Sequence, residues 1–185
     1  KISELLRLRR RENDIDAASL LALMFGFDTV TWVMAAIQHV PRVFSRRKNS
    51  RARIIFDIAN SLNQEKNLSL PVVDEIVKFI EEFVPELNVL ETQRTRFEDA
   101  LAGLNGKEGL NYGGFIAPPV EDCALCGTAL TAPNALSSCI LYTIDGPKPC
   151  TKLSLRCQGC KVSYGHTMRH HSSGNASYYP KDVTR

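Results

Sequence analysis

All six cysteines of this 185-residue chain fall within residues 123–160, and four of them form two C-x-x-C pairs. Cys123-Ala124-Leu125-Cys126 is the first pair and Cys157-Gln158-Gly159-Cys160 the second. Two residues between thiolates let one tight turn aim both sulfurs at a single point, with backbone amides nearby to temper their charge. Two such turns supply a four-sulfur tetrahedron, which suits zinc and leaves it no open position. Gly127 follows Cys126 directly, and glycine enters the left-handed backbone region at little cost. The 30 residues between the pairs exceed the commonest spacing of about 15–20. They suit a β-hairpin inserted between two turns, as in a zinc ribbon.

Three other uses of these cysteines are weaker. Disulfides need an oxidising compartment, and the chain opens with Lys1, Glu4 and four arginines by Arg11 rather than a secretion signal. A redox C-x-x-C sits between a strand and a helix, a pattern missing here. An iron–sulfur cluster also takes four cysteines, but two separated pairs with a β-type spacer favour zinc. Cys139 and Cys150 stay open: buried apolar side chains, or partners of His166 and His170 in a second site. His166 and His170 have the H-x-x-x-H spacing of zinc sites, a spacing that a strand face also accommodates. The expected cofactor is one zinc ion, or two if that second set assembles. His39, on an apolar helix, reads as a core or boundary residue.

None of the six cysteines occurs before residue 123, and the first hundred residues have a different period. Residues 3–12 make a weak amphipathic start. Ala17, Leu20, Leu21, Leu23 and Met24 continue to Gly26, which ends or bends a helix, and Val30–Val40 runs up to Pro41. Both segments are apolar nearly all round, which predicts burial. Arg51–Leu62 places Ile54, Ile55, Ile58 and Leu62 on one face. Ser69 precedes Pro71 as a helix start, and Val72, Val73, Ile76, Val77, Ile80, Phe83 and Val84 follow at helical spacing. A last helix is expected over about Asn88–Leu104. Gly103, Gly106, Gly109, Gly113 and Gly114, then Pro118 and Pro119, break regular structure. Beyond them come short runs of strand formers: Leu136–Ile144, a turn at Asp145-Gly146-Pro147, Lys152–Arg156 and Val162–Met168. The expected fold is α+β in separate parts. An all-α helical bundle over 1–105 leads through a linker at 106–119 to a zinc-ribbon-like β module over 120–185, thin enough in apolar content to need a metal staple.

Charge narrows the partners. Basic and acidic residues balance up to Pro118, so the net excess of +3 lies wholly beyond it. Inside the balanced part, Arg42, Arg46, Arg47, Lys48, Arg51 and Arg53 follow one another with no acidic residue between them. Such a run either draws a phosphate backbone through counterion release or forms a solvated loop and helix start. Around the cysteine turns stand Lys148, Lys152, Arg156, Lys161 and Arg169, with Tyr164, Tyr178 and Tyr179 as candidate stacking residues. No uncharged apolar run reaches the about 18 residues of a membrane span, so no membrane partner is expected. No Walker or dinucleotide glycine pattern and no convergent carboxylate set marks a catalytic centre. The chain is read as non-enzymatic and, lacking an initiator Met, as a fragment or processed chain.

The cysteine module resembles the CxC-type cysteine clusters associated with KDZ transposases, the fifth class in particular. The resemblance rests on Cys123-Ala-Leu-Cys126-Gly127, the Leu141-Tyr142 strand, Gly146-Pro147, Cys157-Gln-Gly-Cys160 and Tyr164, and covers about residues 110–185. It implies a zinc-chelating module beside a transposase domain, with Cys123, Cys126, Cys157 and Cys160 as ligands and catalysis outside this chain. The expected function is a zinc-binding accessory module that binds DNA through Arg42, Arg46, Arg47, Lys48, Arg51, Arg53, Lys152, Arg156, Lys161 and Arg169, in an intracellular and nuclear setting. The alternative is a protein-interaction module: a chromatin or histone-tail reader, or an oligomerisation unit.

Overall fold

The computed structural model describes residues 17–47, 50–63, 68–83, 91–102, 104 and 109–179. The weak helix expected at 3–12 lies outside them, as does Lys48. The chain is an α+β mixture, with helices in its N-terminal half and small sheets in its C-terminal half. Two compact units divide it: the described residues within 1–39 and 52–103 form one, and those within 40–51 and 104–185 the other.

The first unit is helical. α1 (Ala17–Phe25) and α2 (Phe27–His39) are separated only by Gly26, whose φ of 88° is the left-handed conformation that bends the chain. α3 (Ser50–Leu62), α4 (Leu70–Phe83) and α5 (Glu91–Ala102) follow. α2 stops just before Val40-Pro41, where the proline ring excludes a helical predecessor. Pro71 sits in the first turn of α4, where its missing N–H is no loss, and the Val73 amide donates to the Ser69 carbonyl at 3.0 Å. The buried side chains are the periodic ones: Val30, Val33 and Ala36 of α2, Ile54, Ile55 and Ile58 of α3, Val73, Ile76 and Ile80 of α4, and Phe97 and Leu101 of α5. Phe97 is stacked on Trp32 with ring centroids 6.2 Å apart and is met edge-on by His39 at 5.5 Å. A buried amide, Asn63 Nδ2, donates to Thr29 Oγ1 at 2.8 Å. Of the two apolar segments expected to be buried, Val30–Val40 buries Val30, Val33, Ala35, Ala36 and Val40, while α1 buries Leu21 but leaves Leu23 exposed. A helix packed on one side covers one stripe only, and Phe27, between the two segments, is exposed as well.

The second unit carries two sheets. β1 (Phe115–Ile116), β3 (Gly146–Lys152) and β2 (Ser137–Thr143) form one in that spatial order, and β4 (Leu155–Arg156), β5 (Ser163–Tyr164), β6 (Met168–His170) and β7 (Ala176–Tyr178) form the other. β2 and β3 make a hairpin around Ile144-Asp145, with Thr143 opposite Gly146 and Gly146 at φ 110°. β1 arises inside the glycine-rich stretch read as linker, pairing in parallel with Thr151 and Lys152. Gly114 permits this approach: a Cβ there lies 2.7 Å from Cys150 Sγ. The strands expected at Lys152–Arg156 and Val162–Met168 are each divided. The first splits between the end of β3 and β4. The second turns back at Gly165, whose amide donates to the Met168 carbonyl at 2.9 Å. The 3-10 turn Arg42–Arg46 belongs to this unit, with Phe44 fully buried edge-on against Phe115 at 5.2 Å. Tyr112, Leu130, Leu153, Leu155, Val162, Tyr164 and Tyr179 complete a small core. Among the described residues, no helix is long and apolar enough to cross a membrane.

Candidate metal centre

The two C-x-x-C segments form the same local structure. In the first, the Cys123 amide donates to the Thr128 carbonyl and the Gly127 amide to the Cys123 carbonyl, both at 2.8 Å. In the second, the Cys157 amide donates to the Val162 carbonyl at 2.9 Å and the Lys161 amide to the Cys157 carbonyl at 3.0 Å. The offsets are identical, so each turn presents its two sulfurs on the inside of one loop. Each loop closes through a left-handed residue directly after the second cysteine: Gly127 at φ 69° and Lys161 at φ 58°. Glycine is at ease in that region, while lysine is strained there.

The turns face one another. The sulfurs of Cys123, Cys126, Cys157 and Cys160 all lie within 4.8 Å of each other, and Cys126 Sγ is 3.6 Å from Cys157 Sγ. Four thiolates around one zinc ion at about 2.3 Å stand about 3.8 Å apart, so the sulfurs need move only by fractions of an ångström to about one. The donor set therefore fits a tetrahedral, thiophilic metal ion. When bound, such an ion supplies a cross-link between the turns rather than a reactive centre, because four protein ligands leave no position for substrate. Cys123 and Cys157 are buried, Cys160 half-buried and Cys126 exposed.

Polar neighbours support the thiolate form. The Tyr164 hydroxyl, fully buried, donates to Cys123 Sγ at 3.2 Å and accepts from the Ala124 amide at 3.1 Å. Cys126 Sγ lies 3.3 Å from the Thr128 hydroxyl, and the Cys160 amide donates to Cys157 Sγ at 3.3 Å. Burial pushes the Cys123 thiol up, but hydrogen bonds from Tyr164, the Leu125 and Cys126 amides and the Cys126 side chain together outweigh it and bring it down to about 6. The Thr128 hydroxyl and amide lower Cys126. Cys160 is pushed up to about 12, first by its hydrogen bond with Cys126, then by desolvation and by Cys123 and Cys157. Four like charges cannot crowd one point in the absence of a cation, so the last thiol holds its proton.

The remaining candidates are placed as follows. Cys139 and Cys150 face each other across β2 and β3, Cys150 buried and Cys139 half-buried. Burial raises the Cys150 thiol, with Cys139 adding to it. His166 Nδ1 lies 3.1 Å from the Ala117 carbonyl oxygen, and His170 is exposed on β6. Among the described residues, the four turn cysteines are the one cluster of three or more His, Cys, Asp or Glu side chains able to hold an ion. Cys139, Cys150, His166 and His170 do not form such a cluster.

The arginines of the basic run are largely engaged in the fold. Arg51 is buried and donates from Nε to the Val40 carbonyl at 2.9 Å. Arg46 holds Glu121 Oε2 through Nε and Nη2 at 3.1 and 2.9 Å, with Asp122 3.7 Å away. Arg47 donates to the Asn134 carbonyl. Arg42 and Arg53 are exposed. In the β part, Lys152, Arg156 and Lys161 are exposed, while Arg169 is half-buried and donates to Ser177 Oγ at 2.8 Å. Of the three tyrosines expected as stacking residues, Tyr164 and Tyr179 are buried and Tyr178 alone is exposed. Tyr164 serves the sulfurs instead. Its sequence signal was its nearness to the second cysteine pair, but no local pattern links residue 164 to residue 123. Thr128 and the left-handed Lys161 were also missed, although each acts within two residues of a cysteine of its own turn. Comparison with family models, with curated proteins and with solved structures finds no match to this chain.

Proposed function

We propose that this chain is a zinc-binding accessory module of a transposase-like protein, and that its β part binds DNA through exposed basic residues. The four-sulfur cluster carries the reading. It is a donor set for structural zinc, built from paired turns like those of a zinc ribbon, in a unit too thin in apolar content to fold firmly without a staple. Lys152, Arg156 and Lys161 lie exposed around it in sequence, and the whole net positive charge of the chain lies beyond residue 118. Arg53 adds exposed charge, whereas Arg46, Arg47 and Arg51 support the fold. The module is accessory rather than catalytic, and a nuclear setting follows from the transposase-like reading.

Metal analysis and DNA titration test this together. The purified chain is expected to hold about one zinc, and Cys157→Ala to lose it. Affinity for a labelled duplex, read by fluorescence anisotropy, should fall linearly on a log–log plot against salt. Replacing Lys152, Arg156 and Lys161 together by Gln should flatten that slope by about two to three units. A zinc-loaded chain with no salt-dependent binding to duplex overturns the DNA assignment, and a chain without bound metal overturns the module itself.

A further inference from the structure

The β2–β3 hairpin has one closed edge and one open edge. Thr143 and Gly146 close its two-residue turn as a hydrogen-bonded pair, so bonding alternates back along the strands. Ser137, Cys139 and Leu141 thus direct their amides toward β3. Ser138, Ile140 and Tyr142 direct theirs to the opposite side, where β2 is the edge strand of its sheet. On β3 the residues with outward backbone are Pro147, Pro149 and Thr151. The two prolines have no N–H, and the Thr151 amide donates to the Gly114 carbonyl at 2.9 Å. No N–H of these three positions is left to receive another strand, which is how natural sheets guard an edge. The outer edge of β2 lacks that protection: among the described residues no strand pairs with it, and it carries no proline or charged residue.

The side chains beside this edge are apolar and exposed. Ile140 faces Pro149 and Tyr142 faces Pro147, so these four share one face of the hairpin. Ile140 is 58% and Tyr142 80% exposed, and Ile144 stands fully exposed at the turn. An open backbone edge flanked by such a face is built to receive an extended strand.

We propose that β2 pairs antiparallel with the β2 of a second copy of this chain, forming a two-fold dimer with a continuous sheet across the seam. Ser137–Thr143 bears no charge, so its own copy brings no like charges together. The register that sets Ile140 against its own copy lets the outward groups of Ser138 and Tyr142 meet each other across the axis. It also joins the two apolar faces side by side. A two-fold contact uses both open β2 edges at once, so pairing through β2 closes the assembly at two. The inference is independent of the DNA reading.

The zinc-loaded full chain, followed by sedimentation velocity across a dilution series up to roughly 100 micromolar, tests it. A concentration-dependent dimer is expected. Ile140→Pro removes an outward N–H and an apolar side chain at the seam but no hydrogen bond to β3, and should weaken dimerisation at least about tenfold while zinc content is unchanged. Ile140→Lys sets two like charges directly opposite each other at the axis and should do the same, which decides the matter if the proline variant fails to hold zinc. A wild-type chain that stays monomeric overturns the proposal, as does a dimer untouched by Ile140→Lys or one that grows into open-ended polymers. An apolar peptide captured by a monomeric chain would assign the edge to another protein and overturn self-pairing.

Discussion

The paired turns of the metal centre differ in one informative place. Gly127 and Lys161 occupy equivalent positions with φ of 69° and 58°. A Cβ built at Gly127 meets nothing within 4 Å, so Gly127→Ala adds no collision and isolates the backbone term. The left-handed conformation costs a non-glycine residue about 1–2 kcal/mol. Loss of glycine's freedom in the unfolded chain returns about 0.4–1 kcal/mol of that. The net penalty is about 1 kcal/mol, or about fivefold in an equilibrium constant. Because metal binding and folding of such a module are coupled, the penalty should appear as about fivefold weaker zinc binding. Lys161→Gly should shift affinity the other way by a similar factor, since Lys161 is exposed and little packing is lost. The double variant Gly127→Ala/Lys161→Gly should return close to wild type. Competition against a chromogenic chelator at fixed pH reads all four proteins. If Gly127→Ala binds normally and Lys161→Gly binds more weakly, the equivalence of the two turns and the strain assigned to Lys161 are both refuted.

Two further outcomes follow from the sulfur environment. Cys123, down at about 6, is already a thiolate at neutral pH, whereas Cys160, up at about 12, keeps its proton until the metal displaces it. Zinc binding should therefore release protons and weaken as pH falls from 8 to 6, by about tenfold per unit for each proton displaced; calorimetry in buffers of different ionisation enthalpy would expose a pH-independent affinity as contrary. Tyr164→Phe removes the hydroxyl that bridges the Ala124 amide and Cys123 Sγ, leaving a partly buried donor without its partner. It should destabilise the module by about 1–3 kcal/mol and weaken metal binding about 10–100-fold, and an unchanged chelator competition curve would dismiss the role given to Tyr164.

The sequence alone determined what is local. Hydrophobic repeats three and four residues apart drew α2, α3 and α4, because burying such a stripe depends on neighbours one turn away. Gly26, Pro41, Pro71 and Gly146 acted where expected, since a φ limit belongs to the residue itself. The four turn cysteines were legible because a C-x-x-C turn sets its own sulfur spacing. Tertiary structure decided the rest. Whether residues 123–126 meet residues 157–160 depends on the chain between them, and only the folded unit brings the four sulfurs within 4.8 Å. Arg46 and Arg51 read as free cations until Glu121, 75 residues from Arg46, and the Val40 carbonyl took them up. Phe115-Ile116 became a strand only because β3 offered an edge and Gly114 let it approach. Tyr164 gained its place beside Cys123 across 41 residues. Spacing fixes what a few bonds can reach, whereas a contact between distant segments exists only once the free energy of burial has closed the loop between them.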